Sequence, residues 1–261
     1  MLRRTLLLVA VALVGGVATA AEEPPVSICA DADPPPSIYW QRDAAGKKTR
    51  ELVGFEVDLM RAAFARLGRG VEFTGDLPWK RCMLMVQQGR YDFAMGAYYD
   101  DERAKQFAYS VHYHSLTPQV FTRRADPPAI KEAADLKRYR GCGMMGASYA
   151  HYGLDAALLD QGKTHEQLVQ KLKFKRCDFF VEEQEVFLGY KLLGTDYLAD
   201  PVLQHHGLPG VKPPSTHVIA AKGSVAAQLL PKLNVALEEL IKSGAAAAMW
   251  KKHAGDLPYK P

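Results

Sequence analysis

Cysteine is scarce in this chain: there are four in 261 residues, and no two of them form a C-x-x-C pair. That argues against a zinc knuckle or a thioredoxin-like redox motif. No basic run interleaves with aromatic residues, so neither a nucleic acid nor a membrane surface is indicated as a partner. The formal net charge is only +4, from 33 Lys and Arg against 29 Asp and Glu. Long apolar runs are also missing. The stretch from Leu6 to Val17 falls short of the roughly 20 residues needed to span a bilayer. Histidines occur in the close pairs His112/His114 and His205/His206, but no neighbouring Asp, Glu or Cys completes a metal-ligand set. They are read as exposed or packed side chains, and no metal or cofactor is expected.

The N-terminus carries a different signal. Arg3-Arg4, the apolar run and then Ala18-Thr19-Ala20 read as a cleaved export leader over residues 1–20, cut after Ala20. No cysteine stands at that junction, so a lipid anchor is not indicated. A periplasmic location follows, where thiols oxidise to disulfides. Cys29, Cys82, Cys142 and Cys177 allow three pairings. Roughly 240 residues after such a cleavage exceed the 100–150 typical of one core, which makes two lobes plausible.

Strand and helix signals alternate through most of the chain. Val26–Cys29, Val71–Phe73 and Phe93–Met95 read as strands, and Gln41–Arg50 as a polar turn around Gly46. Val57, Met60, Ala63, Phe64 and Leu67 fall at helical spacing, closed by Gly68. Pro78 opens a second helix over Trp79–Gln88. Gln119–Thr122 reads as an extended segment leaving this lobe, after which a similar grammar resumes. There, Arg140–Met145 and Cys177–Glu183 read as strands, Gly146–Tyr149 as a helix start, and Thr164–Leu172 as a helix. Gly207–Pro214 is a Gly/Pro-rich connection, Thr216–Ala220 a return strand and Leu229–Ile241 an amphipathic helix. This alternation predicts mainly parallel sheets with ligands at the C-terminal strand ends.

One stretch is especially specific. Gly54-Phe55-Glu56-Val57-Asp58-Leu59-Met60 is followed by Leu77-Pro78-Trp79-Lys80-Arg81, then Tyr91–Gly96, then Asp101-Glu102-Arg103-Ala104-Lys105-Gln106-Phe107. This order resembles the family 3 extracellular solute-binding proteins, the periplasmic receptors of polar amino acid ABC importers. The resemblance covers almost the whole chain after the leader. It implies an α/β type II periplasmic-binding fold of two lobes, each a mainly parallel sheet flanked by helices, joined by two hinge crossovers. Lobe 1 is expected at 21–121 plus 217–261 and lobe 2 at 122–216. Hinge motion favours disulfides inside each lobe, Cys29–Cys82 and Cys142–Cys177.

The resemblance also implies a ligand site. Arg103 matches an arginine whose guanidinium forks onto a ligand carboxylate, the geometry of two parallel N–H donors. Without a ligand role it is a surface arginine paired with Asp100 or Glu102. The preceding loop, Gly96-Ala97-Tyr98-Tyr99, lacks the usual hydroxyl residues, leaving backbone donors at Ala97 and Tyr98 and putting a standard α-amino acid in question. Trp79 falls at an apolar pocket wall, or else in the core. Tyr39 falls at an aromatic lid. Ser148 and Tyr149 fall in a Gly-Thr/Ser-Thr/Ser loop at a helix start, where backbone amides attract an anion. Glu183 falls where a carboxylate meets the ligand's amino group, with Glu182 facing the opposite side of the strand.

A monomeric, non-enzymatic receptor follows, closing around a small polar, carboxylate-bearing ligand for an ABC permease. Two rivals share the fold: a cyclohexadienyl dehydratase-like enzyme, for which no further acid–base constellation stands out, and a ligand-independent accessory protein.

Overall fold

The computed structural model describes residues 23–31 and 35–261; the leader read over 1–20 lies outside them. The first half runs β1 (Val26–Cys29), β2 (Tyr39–Arg42), β3 (Lys48–Val53), α1 (Phe55–Arg66), β4 (Val71–Thr74), α2 (Trp79–Gln87), β5 (Phe93–Tyr98), β6 (Phe107–Tyr109) and β7 (His114–Ser115). A second set follows: β8 (Pro118–Arg123), β9 (Gly141–Met144), β10 (Asp160–Gly162), α3 (His165–Lys173), β11 (Phe179–Glu183), α4 (Gln184–Gly189) and β12 (Leu203–Gly207). The chain then returns through β13 (Ser215–Ala221) and ends in α5 (Leu230–Lys242) and α6 (Ala245–Ala254).

Two sheets result. The first has the order β4-β1-β5-β13-β6, with β7 also on β13, and the second the order β10-β9-β11-β8-β12. In each, three neighbouring strands are parallel (β4, β1, β5 and β10, β9, β11), and β13 or β8 joins them antiparallel. The sheets are therefore mixed, with a parallel core. The expected lobe boundaries at 121/122 and 216/217 each cut a strand. β8 pairs wholly within the second sheet and β13 wholly within the first, so the chain changes sheet over 115–118 and 207–215.

Apolar spacing explains the flanking helices. α1 buries Val57, Met60, Ala63 and Phe64 against one face of the first sheet, together with α5 and α6. α2 buries Trp79, Cys82 and Val86 on the other face. α3 starts at an N-cap, the Thr164 side chain accepting from the Gln167 amide, and buries Leu168, Val169 and Leu172. Both disulfides stay within a lobe. Cys29–Cys82 ties β1 to α2, and Cys142–Cys177 ties β9 to the loop before β11.

Other readings change. The polar stretch around Gly46 is the turn of a β2–β3 hairpin. Gly146–Tyr149 opens no α-helix, only a single 3₁₀ turn over Ala150–Tyr152, so no helix terminus stands there to bind an anion. Among the described residues, no helix is long and apolar enough to cross a membrane.

Candidate functional site

The two lobes enclose a cavity of about 440 Å³, walled by Glu56, Trp79, Met95, Tyr98 and Arg103 from the first and by Met144, Ser148, His165, Glu182 and Tyr190 from the second. Arg103 opens a single 3₁₀ turn, and its own amide donates to Asp100 Oδ1 at 3.0 Å. Its Nη1 donates to the Tyr98 carbonyl at 2.9 Å, and the guanidinium lies 5.7 Å from the Trp79 ring centre. That placement combines a cation–π contact with further N–H groups at the cavity wall.

Tyr98 crosses the cleft. Its hydroxyl donates to Glu183 Oε2 at 2.7 Å, from the end of β5 to the end of β11. The other Glu183 oxygen lies 3.2 Å from His151 Nε2 and accepts from the Tyr152 hydroxyl at 3.4 Å. Burial, then the neighbouring Glu182 charge, raises the Glu183 pKa to about 7. Burial and then the Glu183 charge push the Tyr98 hydroxyl well up. Strand alternation sends Glu182 to the opposite face, where its Oε2 lies 2.7 Å from His165 Nε2. His165 Nδ1 in turn lies 2.8 Å from the Tyr190 hydroxyl. Burial lowers the His165 pKa to about 4 and raises that of Glu182.

A second bridge runs beside the first. The Ser148 hydroxyl donates to Asp100 Oδ2 at 2.6 Å across the lobes. Burial acts to raise the Asp100 pKa, but hydrogen bonds from Ser148 and Arg103 outweigh it and hold the carboxyl below its ordinary value.

Residues 26–256 match the bacterial extracellular solute-binding proteins, family 3. The chain belongs to that family. Among curated relatives of this solute-binding protein is the L-cystine-binding protein TcyA of Bacillus subtilis (strain 168), 23% identical over 218 residues, covering 80% of this chain and 75% of TcyA. Among solved structures, the arginine-, lysine-, histidine-binding protein ArtJ from Geobacillus stearothermophilus aligns with a TM-score of 0.71 at 23% identity, over 90% of this chain and 96% of ArtJ. An ancestral arginine-binding protein bound to arginine aligns with a TM-score of 0.69 at 25% identity, over 88% and 98% of the two chains.

The solute-binding protein brings Arg103, Trp79, Tyr98 and Ser148 together at the cavity wall. Glu183 sits one layer back, behind the Tyr98 hydroxyl. Three expected residues lie elsewhere. Ala97 is packed with Trp79 and Cys82 in the core, because a bulge at Gly96, with φ of 81°, turns Ala97 to the same face as Ala94. Tyr39 points to the C-terminal helix, its hydroxyl 3.2 Å from His253 Nδ1. Tyr149 is buried in lobe 2, where its hydroxyl accepts from the Met144 amide at 2.6 Å. Tyr98 presents its carbonyl to Arg103, so its backbone meets the guanidinium as an acceptor.

Sequence reading missed His151, Tyr152, His165 and Glu56. Glu56 stood in the quoted Gly54–Met60 motif; it is 2% exposed, accepts from the Tyr113 hydroxyl at 2.8 Å and lines the cavity. An acidic residue between Phe55 and Val57, both fully buried, was the available signal.

Proposed function

We propose that this protein is an exported receptor that captures a small carboxylate-bearing solute between its lobes and presents it to an ABC permease. The leader-like residues 1–20 support periplasmic delivery, and the family supports solute capture. TcyA, ArtJ and the ancestral protein are amino acid binders by name, which supports a ligand among amino acids and their relatives. The observation that carries the reading is Arg103, a guanidinium at the cavity wall over Trp79 with N–H groups left for a carboxylate. Ser148 and Tyr98 hold the second lobe close beside it, and a ligand stabilises that closed form only by binding it better than the open one.

The test is a thermal-shift screen of the mature chain against amino acids, small carboxylates and amines, followed by titration calorimetry of the hits. A ligand at 100 times its Kd stabilises the fold by about 2.7 kcal/mol. Arg103→Ala is expected to weaken a carboxylate hit about 100-fold, the scale of one lost charge-assisted pair. A hit that binds Arg103→Ala equally well removes the anchor, and no hit at all removes solute capture.

A rival reading, elimination of water from a carboxylate substrate, has one observation in its favour. Glu182 lines the cavity, is held by His165, and burial raises its pKa, the direction a general acid needs. Turnover of prephenate or arogenate by the purified protein would establish it.

A further inference from the structure

We propose that Tyr98 makes this receptor selective for carboxylates that carry no amino group on the adjacent carbon, because protein donors already occupy Asp100 and Glu183, the carboxylates hydrogen-bonded to Arg103 and Tyr98. The inference rests on the reading that Arg103 holds the ligand carboxylate. An α-ammonium is two bonds from the carboxylate carbon, so it must find its acceptors at the corner where Arg103 stands. A desolvated ammonium has three donors to satisfy and a full charge to balance.

Asp100 and Glu183 are the carboxylates hydrogen-bonded to Arg103 and Tyr98 there, and every oxygen of both has a protein partner; Asp31, Glu56, Glu166 and Glu182 line the cavity as well. Asp100 accepts from the Arg103 amide at 3.0 Å and from the Ser148 hydroxyl at 2.6 Å. Glu183 accepts from the Tyr98 hydroxyl at 2.7 Å, with His151 at 3.2 Å and Tyr152 at 3.4 Å on its other oxygen. The Tyr98 carbonyl is also taken, by Arg103 at 2.9 Å and by the Tyr109 hydroxyl at 3.4 Å.

Tyr98 therefore joins the guanidinium of one lobe to a carboxyl group of the other within a single residue, the link a zwitterionic ligand would otherwise make. Its ring, perpendicular to that of His151 with centroids 5.8 Å apart, runs from the carbonyl that holds Arg103 to the hydroxyl that reaches Glu183. The corner still offers Arg103 N–H groups, the Trp79 face and the apolar side chains of Met95 and Met144. Donors and apolar surface suit 2-oxo and 2-hydroxy acids, which need no counter-charge beside the carboxylate. A cationic group farther along the ligand is compatible with the proposal.

The test is calorimetry on the exported chain with matched acids: phenylalanine, phenyllactate and phenylpyruvate; glutamate, 2-hydroxyglutarate and 2-oxoglutarate; arginine and its 2-oxo analogue. The native protein is expected to bind the oxo or hydroxy member of at least one set ten times or more tighter than its amino partner. Tyr98→Ala should narrow or invert that ratio at least tenfold, by opening Glu183. Tyr98→Phe keeps the ring and removes the hydroxyl, so it decides the matter if Tyr98→Ala does not fold. A native protein that binds the amino acid as tightly as its partners, with binding lost in Arg103→Ala, overturns the selectivity and leaves the receptor reading standing. A ratio unmoved in both Tyr98 variants overturns the role of Tyr98. Binding of amino acids gained only in the Tyr98 variants supports it. No binding to any acid by the native protein or the variants overturns both readings.

Discussion

His114 and Glu56 are two buried ionisable side chains of the first lobe that titrate in opposite senses. His114, 1% exposed, lies against Trp250 and Tyr259, and neither ring nitrogen has a hydrogen-bond partner. Burial, opposed by the Glu185 charge, lowers its pKa to about 4. The unfolded chain takes up that proton first, near pH 6.5, so the contribution of His114 is complete above 6.5 and drains as pH falls toward 4. Burial, opposed by the Tyr113 hydroxyl, raises the Glu56 pKa to about 7. Here the unfolded chain releases its proton first, so the contribution of Glu56 is complete below about pH 4.5 and drains as pH rises through 7. Each span amounts to roughly 3 kcal/mol at 1.36 kcal/mol per pKa unit, and the two slopes oppose each other between pH 4.5 and 6.5. Denaturant midpoints across pH should separate them. Glu56→Gln is expected to make stability climb more steeply with pH than in the native protein, and His114→Phe to make it fall. Curves parallel to the native one would show that neither group titrates on folding. The same distinction between burial and cleft exposure limited the reading of the site from sequence. Arg103, Trp79 and Ser148 were legible because a motif fixes their place, whereas Tyr39 and Tyr149 carry the right chemistry but point into packed regions, which no local spacing reveals.

Each lobe carries one disulfide, closing loops that separate its cysteines by 53 and 35 positions. Loop-closure entropy makes each worth about 4 kcal/mol, within a usual range of about 2–5. A Cys142→Ser/Cys177→Ser double variant is expected to lose about 2–4 kcal/mol in urea unfolding, and the native protein to lose stability under reductant; an unchanged midpoint in both would sink the estimate. Elements with a strong period were readable: α1, α2, α3 and α5 each present an apolar stripe, and a Pro or Thr marks the start of α2 and α3. The strands β6, β7, β10 and β12 were not, because two to five residues hold too few alternations to register. α6 escaped because its Ala-rich first turns look featureless; it is held by Trp250, whose indole donates to the Leu257 carbonyl at 2.7 Å. The helix read after Gly146 failed for a related reason. Gly153, at φ of 68°, ends the 3₁₀ turn after three residues, before a helix can propagate.

At the scale of the whole molecule the lobes meet at separate points, and a hinge network holds the connection between them. Beside the first crossover, Glu185 of α4 accepts from the Thr117 amide at 2.8 Å, the Thr117 hydroxyl at 2.6 Å and the Lys260 ammonium at 3.1 Å. This ties lobe 2 to the C-terminal tail of the chain. One further contact is purely steric. Gly189, at the end of α4, lies so close to the Pro35 carbonyl that a Cβ there would stand 2.2 Å from its oxygen, and backbone on both sides leaves nothing flexible to yield. Gly189→Ala therefore separates two consequences. Within the helix, alanine is the better residue by about 1 kcal/mol, so lobe 2 itself should not weaken. Between the lobes, the methyl group must push α4 away from the loop of lobe 1, which lengthens the Tyr98–Glu183 and Ser148–Asp100 bridges. The expected outcome is a larger radius of gyration by small-angle scattering and at least tenfold weaker ligand binding, with the unfolding midpoint nearly unchanged, because the closed form is disfavoured before any ligand arrives. A variant with the native scattering profile and affinity would mean that the Pro35–Gly189 contact does not limit how far the lobes close.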